Sequence, residues 1–199
     1  LEPGYINKPD TFTESHDDRM TRKFGSLEAF NRVKAQHALI PRGMEVGLDA
    51  SVGFTQEQLD KRVQSSTLAS HRLVLFVEQQ HGVQASEKLY DQLNQRHFLQ
   101  AGVLNDRTLL SASISSLGLS DEQVQALERF LDDPQRGREV TLELYQRTQS
   151  LGIDSIPTLV VDGQYMMSGA AQASEVERVL RRAIAHGLTG SRAFEARAI

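Results

Sequence analysis

Ser155-Ile156-Pro157-Thr158-Leu159-Val160-Val161-Asp162-Gly163 is the stretch that decides how this chain is read. Thr158 to Val161 is rich in β-branched residues, which suit a pleated surface, and Gln164 to Met167 follows with strand character. Between them Asp162-Gly163 is a two-residue turn whose glycine tolerates positive φ, so the spacing predicts a β-hairpin. Pro157 lacks an N–H and fits the head of a strand rather than its middle. A lone two-stranded hairpin is marginal in water, so this one needs more sheet or a helical support.

Moving upstream, the pattern is helical. Gly25-Ser26 separates a short charged stretch, Ser15 to Phe24, from a longer one running from Leu27 toward Pro41 or Gly47. Leu48 to Gln58 reads as a loop. Leu68 to Gln80 reads as a mostly buried helix stopped by His81-Gly82, where glycine suits a left-handed cap. A further helix is expected from Ala85 to Gln100. Leu110, Ile114 and Leu117 repeat at helical spacing before Gly118. Ser120-Asp121-Glu122-Gln123 is a capping box, with Val124, Leu127 and Leu131 as the buried stripe behind it. Asp133-Pro134 reads as a helix cap with proline in the first turn, and Val140, Leu144 and Leu151 carry that helix to Gly152. Downstream of the hairpin, Ser174 to Glu177 reads as a second capping box, leading Val176, Val179, Leu180, Ala183 and Ile184 along one face to His186-Gly187.

Composition narrows the chemistry. The chain has 199 residues, a net charge of -4 and no cysteine. The acidic balance and scattered arginines offer no basic field for a phosphate backbone, so no nucleic-acid partner is expected. The apolar run Leu73 to Phe76 and Val77 is too short to cross a bilayer, and no membrane partner is expected either. Without cysteine the chain holds no disulfide, no thiolate metal ligand and no thiol nucleophile. The six histidines are scattered without ligand-pair spacing, so no metal site is expected. His97 follows Leu89 and Leu93 at helical spacing and reads as a hydrogen-bonded packing residue.

The series from Gly152 through Ser155-Ile-Pro-Thr, strand, Asp162-Gly163, strand, Ser168-Gly169-Ala170 and a capped helix resembles the C-terminal half of the DsbA-like thioredoxin family, in particular its FrnE-like branch. Ser66-Thr67-Leu68-Ala69-Ser70-His71-Arg72-Leu73 is similar to that branch's Asn-Thr-x-x-Ala-His-Arg-Leu segment. Arg22-Lys23-Phe24-Gly25-Ser26 likewise resembles its Lys-Tyr-Gly stretch. Two departures stand out: Ser66 replaces the usual asparagine, and one extra alanine follows Ser168-Gly169.

The resemblance implies an α/β thioredoxin-like fold with a large α-helical insertion, seen here as a mostly helical chain with a C-terminal β-hairpin and helix. The expected organisation is 1–14 as the end of an N-terminal thioredoxin part and linker, 15–150 as the helical insertion, 151–188 as the C-terminal thioredoxin part, and 189–199 as a tail. It implies thiol–disulfide exchange, in which a thiolate attacks a substrate disulfide through a mixed intermediate. No residue here can make that attack, so no catalytic residue is expected in this chain.

What the chain supplies, on this comparison, is a substrate wall. The resemblance implies a cis Ile156–Pro157 bond that turns the Ile156 backbone toward an extended polypeptide or a thiol or disulfide substrate, with Pro157, Thr158 and His71 also lining the site. The chain is expected to be the distal portion of an N-terminally incomplete oxidoreductase whose dithiol lies upstream. It needs no cofactor and is cytoplasmic on this reading. Two alternatives share the scaffold: a glutathione-dependent isomerase or kappa-type transferase relative, with glutathione as cofactor, and a redox-inactive thioredoxin-like binding module.

Overall fold

The computed structural model describes residues 5–36, 61–153, 158–161, 165–169 and 171–186. The chain divides into two compact units, one running to Thr141 and the other beginning at Leu142.

The first unit opens with strand β1 (Thr13–Ser15) and helix α1 (His16–Phe24). Ser15 serves both elements: it closes the strand, and its Oγ accepts the Asp18 N–H at 3.1 Å as helix N-cap. Asp17 and Asp18 in the first turn and Arg22 and Lys23 in the last complement the helix dipole. Gly25, at φ 83°, ends the helix in the left-handed conformation, as the Gly25-Ser26 break predicts. Helix α2 (Leu27–Gln36) follows. The expected continuation toward Pro41 or Gly47, and the loop from Leu48 to Gln58, lie outside the described residues.

Strand β2 (Val63–Ser65) pairs antiparallel with β1 in the register Thr13 with Ser65, Glu14 with Gln64 and Ser15 with Val63. The sequence gives no sign of this pair. Both strands are short and, Val63 apart, polar, so no alternation of apolar residues marks them, and backbone pairing is what joins them. The ladder is extended by Ser66 N–H to the Phe12 carbonyl at 3.1 Å.

Four helices then build the core: α3 (Leu68–His81), α4 (Val83–Gln100), α5 (Arg107–Ser115) and α6 (Asp121–Asp132). Leu73, Phe76 and Val77 of α3 meet Leu89 and Leu93 of α4, Leu110 and Ile114 of α5, and Leu127 and Phe130 of α6. Each such side chain, fully enclosed, contributes roughly 1.5–3 kcal/mol. The α6 stripe differs from expectation: Phe130 is fully buried, while Val124 and Leu131 are only partly covered. Phe130 takes the deep position because its ring stacks on Phe76, with centroids 4.1 Å apart and planes 5° from parallel.

The helix ends correct several readings. Gly82 does stop α3, with its N–H on the Glu78 carbonyl at 2.8 Å, but its φ of 82° and ψ of 171° lie outside the left-handed helical region. That backbone is essentially open to glycine alone. The Ser120 box forms as read: Ser120 Oγ accepts the Gln123 N–H, and Gln123 Oε1 accepts the Ser120 N–H at 3.0 Å. Asp133-Pro134 does not start a helix. Asp133 is extended, its Oδ1 accepts the N–H groups of Gln135 and Arg136, and helix α7 (Arg138–Ser150) begins only after this turn. An aspartate side chain that satisfies two turn amides makes a local turn in place of the helix cap.

The division between the units falls inside α7. In the second unit, strands β3 (Thr158–Val161) and β4 (Tyr165–Ser168) pair antiparallel, with Thr158 opposite Ser168 and Val161 opposite Tyr165. A hairpin forms here as the sequence predicts, with its second strand one residue later than the expected Gln164 to Met167; the Asp162-Gly163 turn lies outside the described residues. Helix α8 (Ala173–Ala185) packs against β3. It starts earlier than read: Gln172, not Ser174, is the N-cap, and the Glu175 carboxylate accepts the Gln172 N–H at 3.2 Å. Of the expected apolar face, Ala183 is buried, whereas Leu180 and Ile184 are exposed.

Candidate substrate-binding site

His71 lies in the first turn of α3, where the chain leaves β2 through a run of buried hydroxyl residues. Thr67, the N-cap, makes no side-chain capping bond. Its carbonyl instead gathers three donors: the His71 N–H at 3.0 Å, Ser70 Oγ at 2.9 Å and His71 Nδ1 at 2.7 Å. A carbonyl only accepts, so Nδ1 carries the proton and the neutral ring presents Nε2 as a bare acceptor. Burial pushes the His71 pKa below its ordinary value, with the Thr67 carbonyl opposing, which keeps the ring neutral at neutral pH. The hydroxyls on either side are similarly directed: Ser66 Oγ donates to the Lys8 carbonyl at 3.2 Å and Ser65 Oγ to the Ser66 carbonyl at 3.3 Å. This turn can therefore accept a hydrogen bond or a proton at His71, and it supplies no sulfur.

Thr158 is the first residue of β3, half-buried and opposite Ser168. Its neighbour Leu159 points away from cover and is 40% exposed. Ile156, Pro157 and the peptide bond between them lie outside the described residues. His71 belongs to the first unit and Thr158 to the second.

Two other polar centres are structural in geometry. His97 is buried, and its Nδ1 donates to the Gly102 carbonyl at 2.8 Å, as its helical spacing behind Leu93 implies. Burial pushes its pKa down to about 4, so it too is neutral near pH 7. The second centre has no sequence signal, because its members stand at no helical or strand spacing. Glu14 receives Arg22 Nε at 2.8 Å, Arg22 Nη2 at 2.9 Å and the Tyr5 hydroxyl at 2.8 Å. The bonded Arg22 guanidinium holds the Glu14 carboxyl at about 2, against the opposing effect of burial. A carboxylate so fully engaged is a poor proton carrier.

Among the described residues no group of three or more histidine or carboxylate side chains is placed to hold a metal ion. No helix among them is long and apolar enough to cross a membrane. Compared with known families, residues 44–181 match the DSBA-like thioredoxin domain. No curated protein matches the chain.

Proposed function

Because the chain belongs to the DSBA-like thioredoxin domain family, we propose that it forms the substrate-facing part of a thiol–disulfide oxidoreductase of the FrnE-like branch, working beside a dithiol carried outside these 199 residues. The observation that carries this reading is the family match across 44–181 in a chain without a single cysteine. Thiol–disulfide exchange needs a thiolate to open the substrate disulfide, and the residues here supply none. They supply an extended edge. On this reading a cis Ile156–Pro157 bond presents the Ile156 backbone to an extended polypeptide, which continues alongside Thr158 in the manner of strand addition. His71, a neutral acceptor in the first unit, is a separate position at which a substrate could donate a hydrogen bond.

The absence of cysteine also favours a second reading, a redox-inactive binding module that keeps the groove and does no exchange. The sequence upstream of Leu1 separates the two: a Cys-x-x-Cys pair supports the oxidoreductase, serine at its first position indicates the glutathione-dependent class, and neither indicates the binding module. An insulin-reduction assay on the purified chain tests the chemistry itself. No turnover above a heat-killed control is expected, and turnover in protein free of contaminating thioredoxins overturns the proposed division of labour.

A further inference from the structure

Arg72 follows His71 directly, yet its side chain serves a different end of the helical unit. Only 3% exposed, it directs its donors to main-chain carbonyls: Nε to Arg136 at 2.7 Å and Nη2 to Asp133 at 2.5 Å. Burying a guanidinium is costly unless its donors are met, so each of these bonds carries weight. The Arg72 guanidinium also lies 5.1 Å from the centre of the Phe130 ring. From the solvent side, exposed Arg136 covers the same stack, 4.8 Å from Phe76 and 5.7 Å from Phe130.

The segment between these two arginines is closed on itself. Asp133 Oδ1 accepts the Gln135 N–H at 2.9 Å and the Arg136 N–H at 3.3 Å. Gly137, at φ 72°, turns the chain into α7, where Thr141 Oγ1 donates back to the Gly137 carbonyl at 2.7 Å and Arg138 pairs with Asp10 at 3.0 Å. Residues 133–136 are themselves exposed. Arg136 lies over the buried aromatics, and what attaches the segment is polar: the Arg72 guanidinium on the Asp133 and Arg136 carbonyls and the turn bonds of Asp133.

We propose that residues 133–137 form a strap latched by Arg72, which closes over the Phe76–Phe130 stack and opens as a local unit while the four-helix core stays folded. Segments with few buried apolar contacts are those that open below the global unfolding free energy. Hydrogen exchange on the full chain tests this with two substitutions that act from opposite sides: Arg72→Met removes the buried latch, and Asp133→Ala removes the exposed turn contacts. Both are expected to speed exchange of the amides from Gln135 to Thr141 by about tenfold or more, the change implied by losing one hydrogen bond to a charged group. Amides of Leu73–Val77 and of Leu89–Leu93 should be unchanged in Asp133→Ala. Unchanged exchange at 135–141 in Asp133→Ala, or an equal acceleration there and in the core, overturns the proposal. Should Arg72→Met fail to fold, Asp133→Ala alone decides.

Discussion

The two units of this chain are built to different standards. The first encloses eleven apolar side chains in one cluster contributed by four helices and their connections. In the second, a two-stranded sheet carries one amphipathic helix, and among the described residues Ala183 is its one buried apolar side chain. Leu151, Leu159, Leu180 and Ile184 are all between 40% and 65% exposed. Packing therefore accounts for the shape of the helical unit, whereas the hairpin unit, among the described residues, leaves most of its large apolar side chains exposed; on the proposed function this is where an extended substrate docks.

The strongest blow to this contrast falls on Phe130. Truncating it to alanine removes a fully buried ring and the surface on which Phe76, Arg72 and Arg136 rest. A loss of roughly 3–5 kcal/mol is expected in denaturant unfolding. A loss below 1 kcal/mol would show that the helical core is not what holds the first unit.

Acid sharpens the same contrast, because among the described residues the groups with shifted pKa lie in the first unit. His97 titrates near its ordinary value of 6.5 when unfolded and at about 4 when folded. Between those values the unfolded chain binds a proton that the folded chain refuses, so stability falls as pH drops from 6.5 to 4, by about 3 kcal/mol. His71, lowered in the same direction, adds to the loss. Glu14, depressed to about 2, contributes stability that is present above its unfolded value of 4.5 and is lost as pH falls from there toward 2. Unfolding curves across this range should show the decline, and His97→Gln should flatten its upper part. A stability independent of pH between 6.5 and 4 would contradict the buried neutral histidine.

Gly102 gives a smaller test of packing. A Cβ there would meet Leu109 Cδ1 and sit 3.0 Å from the Arg96 carbonyl oxygen, which is backbone and cannot swing aside. Gly102→Ala should cost roughly 1–3 kcal/mol, the range for overpacking a fitted site, as read by a lower denaturation midpoint at unchanged slope.

The smallest effect is expected in the second unit. Ile184 is 65% exposed on α8, so Ile184→Ser should change stability by no more than about 0.5 kcal/mol. A large loss would mean that this face is covered in solution.

Much of this organisation is written locally in the sequence. The Ser120 capping box, the Gly25 break and the Thr158 hairpin each depend on a few neighbouring residues whose backbone preferences agree with the fold. What escaped is non-local or ambiguous over the same short range. The β1–β2 pair joins Thr13 to Ser65 by backbone bonds between polar residues, and the Tyr5, Glu14 and Arg22 cluster joins positions with no helical or strand spacing. Asp133-Pro134 and Ser174 carry valid helix-start chemistry, but the turn claimed the first, and Gln172 with Glu175 began the helix ahead of the second. At His71, to which the resemblance points, the tautomer set by the Thr67 carbonyl is visible only once the turn is built.

On the proposed function the helical unit holds the fold and the hairpin unit receives extended substrate. Hydrogen exchange of the 199-residue chain, with and without reduced and carboxymethylated insulin B chain, decides the matter. Slowed exchange at Thr158–Val161 with unchanged exchange at Leu89–Leu93 is the predicted result. Slowing confined to α3–α6, or none at Thr158–Val161 at saturating peptide, would contradict it.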